Sequence, residues 1–128
     1  MILCDTNILI EFYKNNAQIT AVLRAIGPEN LAISAVTAAE LYYGALNQQE
    51  LRQIKAHLGL LNTYHITLPI SNRFLTLMEA YVLSHKLSLP DALIAATALD
   101  HDVELYTLNR KDFRYIPELK LFSPTNQA

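Results

Sequence analysis

An α/β domain built on a mostly parallel sheet is the fold class this sequence predicts, and three observations predict it. Short apolar runs alternate with longer segments of helical periodicity along the chain. The runs are apolar at consecutive positions rather than alternate ones, as in strands covered on both faces. Turn-forming or capping residues follow several of the runs at once, as Asp5-Thr6-Asn7 follows Met1–Cys4.

Met1–Cys4 reads as a buried strand, and Thr6 or Asn7 can cap a helix that runs to about Lys14. Ile19, Val22, Leu23 and Ile26 share one helical face, and Gly27-Pro28 ends that helix. Leu31–Val36 predicts a second strand. Thr37 then opens a helix to Leu46, and Leu51, Ile54, Leu58 and Leu61 form the inner stripe of the next. Tyr64–Leu68 predicts a third strand closed by Pro69. Ser71 caps a long helix whose apolar face is Phe74, Met78, Tyr81, Val82 and His85. The segment from Asp91 to Leu99 is apolar nearly all round, so it is a buried helix. Glu104–Thr107 predicts a fourth strand and Leu119–Phe122 a fifth.

With 128 residues, the chain has room for one domain, 1–128, and no second core. Hydrophobic residues make up 52% and charged residues 17%, which supports a packed core and excludes a disordered chain. The sequence predicts no membrane span and no secretory signal, since Asp5 interrupts the apolar opening. The single cysteine, Cys4, has no internal partner, which fits a reducing cytoplasm. A formal net charge of −2 advertises no nucleic-acid binding, so contact with RNA requires a local patch or a metal.

Of the 12 acidic residues, Asp5, Glu40 and Asp91 stand out for apolar neighbours and for the absence of a nearby Lys or Arg. A carboxylate in such surroundings is costly unless something positive pairs with it. A hard divalent cation, Mg²⁺ or Mn²⁺, would pair with all three. Each also has a plain structural role. Asp5 can cap the first helix, Thr37-x-x-Glu40 has the spacing of a capping box, and Asp91 opens a helix. The four histidines lack metal-ligand spacing, which argues against zinc.

Four segments together resemble a PIN domain, and more narrowly the VapC-type toxins of bacterial toxin–antitoxin pairs. They are Ile2-Leu3-Cys4-Asp5-Thr6-Asn7-Ile8, Ile33–Leu41 with Tyr43-Gly44-Ala45 after it, Leu89–Ala98, and Leu105–Phe113 with its Thr107-x-Asn109-x-x-Asp112-Phe113 pattern. The resemblance spans essentially the whole chain. It implies a three-layer α/β/α sandwich and a metal-dependent endoribonuclease with Asp5, Glu40 and Asp91 as the central acids and metal ligands. It further implies Asp112 as the fourth carboxylate, where many relatives carry Asp at the position of Asn109. Thr6, Asn7, Thr107 and Asn109 would support the carboxylates. Arg110, Lys111 and Arg114 would grip phosphates, or else form a solvated surface. A cognate antitoxin and a homodimer are the implied protein partners. The stripe Ile19–Ile26 or the Leu41-Tyr42-Tyr43 face would serve them, unless these pack in the core.

Two rivals share parts of this pattern. Haloacid-dehalogenase-type phosphatases also place Asp after the first strand, but they carry a second Asp where this chain has Asn7. A non-catalytic RNA-binding or protein-interaction module on the same fold would retain the acids for stability.

Overall fold

The computed structural model describes residues 1–124. The chain runs β1 (Ile2–Cys4), α1 (Thr6–Tyr13), α2 (Ala17–Ile26), β2 (Leu31–Ser34), α3 (Ala35–Tyr43), α4 (Gln48–Leu58), β3 (Asn62–Tyr64), α5 (Leu68–His85), α6 (Leu89–His101) and β4 (Glu104–Tyr106). The four strands form one parallel sheet in the order β3-β2-β1-β4.

The apolar runs are continuous because the strands that form them feed two cores. Leu3, Ala32 and Leu105 pack with α5 and α6 on one face. Their neighbours Cys4, Leu31, Ile33 and Tyr106 pack with the first four helices on the other. This is the α/β/α sandwich. Burying one such aliphatic side chain contributes about 1.5–3 kcal/mol, so both helical layers are held firmly to the sheet.

The order 3-2-1-4 also locates the functional end. Right-handed crossovers from β1 to β2 and from β2 to β3 put α1–α4 on one face. The chain then crosses back to the far side of β1, so α5 and α6 cover the opposite face. The direction reverses between β1 and β4, and the crevice beyond their C-terminal ends is where open α/β sheets bind ligands.

Several boundaries differ from the sequence expectation. Tyr64–Leu68 is not a strand: β3 ends at Tyr64, and Leu68-Pro69 already forms the first turn of α5, capped by Thr67 rather than Ser71. A proline at the start of a helix removes an N–H that has no partner there anyway. The helix expected from Thr37 starts at Ala35, with Ser34 as its N-cap accepting the Thr37 amide. Leu119–Phe122 forms only one bridge, Leu105 to Leu121. On α5, Val82 and His85 are exposed, while Ile70 and Leu77 are buried. Gly27 (φ 88°) ends α2 as expected.

Candidate active site

Asp5 leaves β1 directly into α1 and is only 5% exposed. Its Oδ1 accepts the Thr6 amide at 2.8 Å, so it does cap the helix. Its Oδ2 accepts the Thr107 hydroxyl at 2.7 Å from the end of β4. The two strand ends are tied further by the Asp5 amide, which donates to the Tyr106 carbonyl at 2.9 Å. Capping therefore uses one side of one oxygen, and the rest of the carboxylate's acceptor capacity remains.

Glu40 does not complete a capping box with Thr37. Thr37 is fully buried inside α3, and Glu40 reaches across to α1, where the Thr6 hydroxyl donates to its Oε1 at 2.7 Å. The Thr6 and Thr37 hydroxyls lie 3.0 Å apart. Because Thr6 has one hydroxyl hydrogen, it accepts from Thr37 while donating to Glu40. The resulting relay, Thr37 to Thr6 to Glu40, holds the carboxylate toward Asp5. Thr37 was legible only as a cap, and its part in this relay depends on the packing of α1 against α3.

Asp91 sits in the first turn of α6, its amide donating to the Ser88 hydroxyl at 3.2 Å. Asp112 ends a 3₁₀ turn, Arg110–Asp112, after β4. The four acids share one electrostatic environment. Burial pushes the Asp91 carboxyl up to about 6, with Asp5, Asp112 and Glu40 adding to the rise. Burial also raises Asp5, against the lowering effect of its two hydrogen bonds, and Glu40 and Asp112 raise it further. Among the described residues, no Lys or Arg forms an ion pair with any of the four.

The remaining candidates divide. Asn7 accepts the Leu108 amide at 3.3 Å, and so holds the loop after β4 rather than a carboxylate. Asn109 contributes through its backbone, donating to the Thr107 hydroxyl at 3.0 Å. Arg110 turns away and donates to the Phe122 carbonyl at 3.1 Å. Lys111 lines a pocket with Asp91 and Asp112, whereas Arg114 is exposed outside it. Of the stripe on α2, Ile19 and Leu23 are core residues. In the Leu41-Tyr42-Tyr43 segment, Leu41 is buried but Tyr43 is 94% exposed.

As placed, no three Asp, Glu, His or Cys side chains among the described residues converge to hold a metal ion between them. The donor chemistry nevertheless fits a hard cation. All four groups are oxygen donors, their charges repel, and no basic side chain neutralises them. Mg²⁺ is commonly held by only one or two carboxylates, with water filling the other positions.

Comparisons with known proteins match nearly the whole chain. A family model for the PIN domain matches residues 2–119. The chain is 36% identical over 124 residues to a protein named Ribonuclease VapC10 from Mycobacterium tuberculosis, covering 94% of this chain and 91% of that one. Among solved structures it resembles a chain of a toxin-antitoxin complex from Klebsiella pneumoniae, with a TM-score of 0.82 and 35% identity over 98% of this chain and 99% of that chain. It also resembles a chain of VapBC-1 from nontypeable Haemophilus influenzae, with a TM-score of 0.81 and 28% identity over 98% and 100% of the two chains.

Proposed function

The chain belongs to the PIN-domain family, and from that membership and the acidic site we propose that it is a Mg²⁺- or Mn²⁺-dependent endoribonuclease, the toxin of a toxin–antitoxin pair. Residues 1–128 would act as one nuclease domain in the cytoplasm. No helix among the described residues is long and apolar enough to cross a membrane. The observation that carries the reading is that burial, and then repulsion among Asp5, Glu40, Asp91 and Asp112, raises Asp5 and Asp91, with no ion pair to Lys or Arg among the described residues.

Asp5 and Asp91 would hold the cation, with Glu40 binding it or orienting water and Asp112 acting through water. When bound, such an ion supplies Lewis acidity toward a phosphate oxygen and makes a nearby water easier to deprotonate. The chain's own part is to hold the carboxylates still. Thr107 fixes Asp5, and the Thr37–Thr6 relay fixes Glu40. Hydrolysis then forms one P–O bond from water and breaks the P–O bond to the leaving sugar, whose oxygen takes a proton.

The antitoxin would cover the apolar groove between α1, α3 and α4, which is lined by Phe12, Leu41, Leu46 and Ile54 and reaches Glu40. An apolar segment seated there would end beside the acids. A homodimer would use the exposed Tyr43 face.

The test compares wild type with Asp5→Asn on a mixed RNA pool in Mg²⁺, Mn²⁺ or EDTA, with thermal melts alongside. The expected result is cleavage by wild type alone, abolished in EDTA, with the variant still folded. If neither protein cuts and the variant melts well below wild type, Asp5 is a cap and the non-catalytic module takes over.

A further inference from the structure

Beside Asp5 lies a second concavity of about 270 Å³, in which the nuclease reading gives roles to Asp91, Asp112 and Lys111 but none to His85, Lys86 or Tyr115. Asp91 and Asp112 form one side of it. Lys86, Ser88 and Lys111 stand around them, and the rings of His85 and Tyr115 complete the wall.

The rings are arranged in advance. His85 stacks on Tyr115 with centroids 3.8 Å apart and planes 12° from parallel. Tyr81 meets Tyr115 at 5.0 Å and 65°, and His85 at 5.8 Å and 76°. The Ser84 hydroxyl lies 2.8 Å from His85 Nδ1 and fixes the ring's rotation. Tyr115 is half-buried and His85 is exposed, so the imidazole is the outer layer of the stack. The backbone holds this layer in place. Lys86 adopts the left-handed conformation (φ 53°), Leu87 is buried just after it, and Ser88 caps the helix that carries Asp91. One tight turn thus sets His85, Lys86 and Asp91 relative to one another.

Tyr81 and Tyr115 pack against the core, but His85 lies exposed over them, and neither lysine forms an ion pair among the described residues. A flat aromatic surface beside two ammonium groups is the chemistry of a nucleotide site. Single-stranded RNA is held by stacking its bases on Tyr or His rings and by pairing its phosphates with cations.

We propose that this pocket seats one nucleotide of the RNA next to the bond that is cut, its base stacked on the His85–Tyr115 pair and its phosphate held by Lys86 and Lys111. The inference rests on the nuclease reading of the adjoining acids and adds to it the residues that set the register of the strand. His85, Lys86 and Tyr115 are binding residues here. They lie far in sequence from the first two acidic motifs, and only the packing of the α5–α6 turn against the segment after β4 brings them together.

The test measures binding and turnover separately. Binding of a fluorescein-labelled single-stranded RNA pool is followed by anisotropy with Asp5→Asn protein in Mg²⁺, alone and combined with His85→Ala, His85→Phe or Lys86→Ala. Saturation curves for cleavage are taken with the same changes in otherwise wild-type protein. His85→Ala and Lys86→Ala should each weaken binding and raise KM roughly tenfold. The turnover at saturation should be largely kept, and the distribution of cleavage sites should shift. His85→Phe, which keeps a flat ring, should restore most of the affinity. Lys120→Ala, which removes a surface lysine paired with Asp102, should change nothing.

Unchanged binding, KM and cleavage sites in both His85→Ala and Lys86→Ala, with cleavage intact, would overturn the subsite and leave the nuclease reading standing. RNA binding that depends on His85 and Lys86, with no cutting by wild type in either metal, would do the reverse. If His85→Ala weakens only the hold of a protein partner and leaves RNA untouched, the pocket is a protein contact and the inference fails. Absence of both binding and cutting overturns both.

Discussion

The groove between α1, α3 and α4 has a volume of about 740 Å³ and walls of Phe12, Leu41, Leu46 and Ile54, whereas the pocket beside Asp91 holds about 270 Å³ among lysines and carboxylates. Glu40 reaches the first, Asp91 and Asp112 line the second, and the buried Asp5 is coupled to all three acids. Size alone would direct attention to the larger cavity. Charge directs it to the smaller, because a carboxylate raised by burial and by neighbouring acids in a concave site marks a functional-site candidate. The larger cavity suits the apolar side chains of a partner, and the smaller suits a charged, planar ligand.

The largest expected effect falls on the acids themselves. Asp5→Asn should lower RNA turnover by at least about 10²-fold, since a lost ligand forfeits several kcal/mol of charge stabilisation. Its circular dichroism should match wild type. Next, Leu46→Asp places a charge at the mouth of the apolar groove, where Leu46 is 85% exposed. Affinity for the cognate antitoxin, measured by calorimetry, should fall about tenfold or more while RNA cleavage by the free protein stays at wild-type rates. Equal loss of both would mean that the groove and the acidic site are not separate.

Two smaller effects use pH, and their signs oppose. Asp91 has a raised folded pKa, about 6, so its charged form destabilises the fold at neutral pH. That cost is relieved as pH falls through about 6 toward its ordinary value. In EDTA at pH 7.5, Asp91→Asn should therefore melt higher than wild type. The gain is about 1 kcal/mol, or about 3–5 °C, once discounted for the partial exposure of Asp91. It should vanish near pH 4. In the apolar groove the balance runs the other way. The Tyr13 hydroxyl lies 2.8 Å from His57 Nδ1, and burial pushes the phenol up to about 12, so Tyr13 donates to a neutral imidazole. Burial lowers the His57 pKa, so its contribution is fully present above about 6.5, the usual histidine value, and is lost as pH falls through the folded value. Tyr13→Phe should cost about 1 kcal/mol at pH 7.5 by denaturant melts, and less as His57 becomes protonated.

The parts that were readable and the parts that were not have different physical origins. Continuous apolar runs gave away the two-sided burial of β1 and β2, because a strand covered on both faces has no polar side to show. The three acids between apolar neighbours were readable because unpaired carboxylates are rare in such places. The start of α5 was misread because Thr67-Leu68-Pro69 suits a strand end and a capped helix start equally well, and only tertiary packing chose the helix.

What the sequence determined by itself was therefore local: the alternation of strand and helix, and the placing of Asp5, Glu40 and Asp91 among apolar neighbours. Tertiary structure decided what joins what. It set Thr107 against Asp5 across the junction of β1 and β4, and turned Glu40 from its expected cap at Thr37 to Thr6. It sent Arg110 to the backbone while leaving Lys111 in the pocket, and stacked His85 on Tyr115 beside Asp91. The reason is geometric. Helical and strand periods constrain neighbours within a few positions, whereas the Thr107–Asp5 contact spans 102 residues and exists only once the sheet has closed.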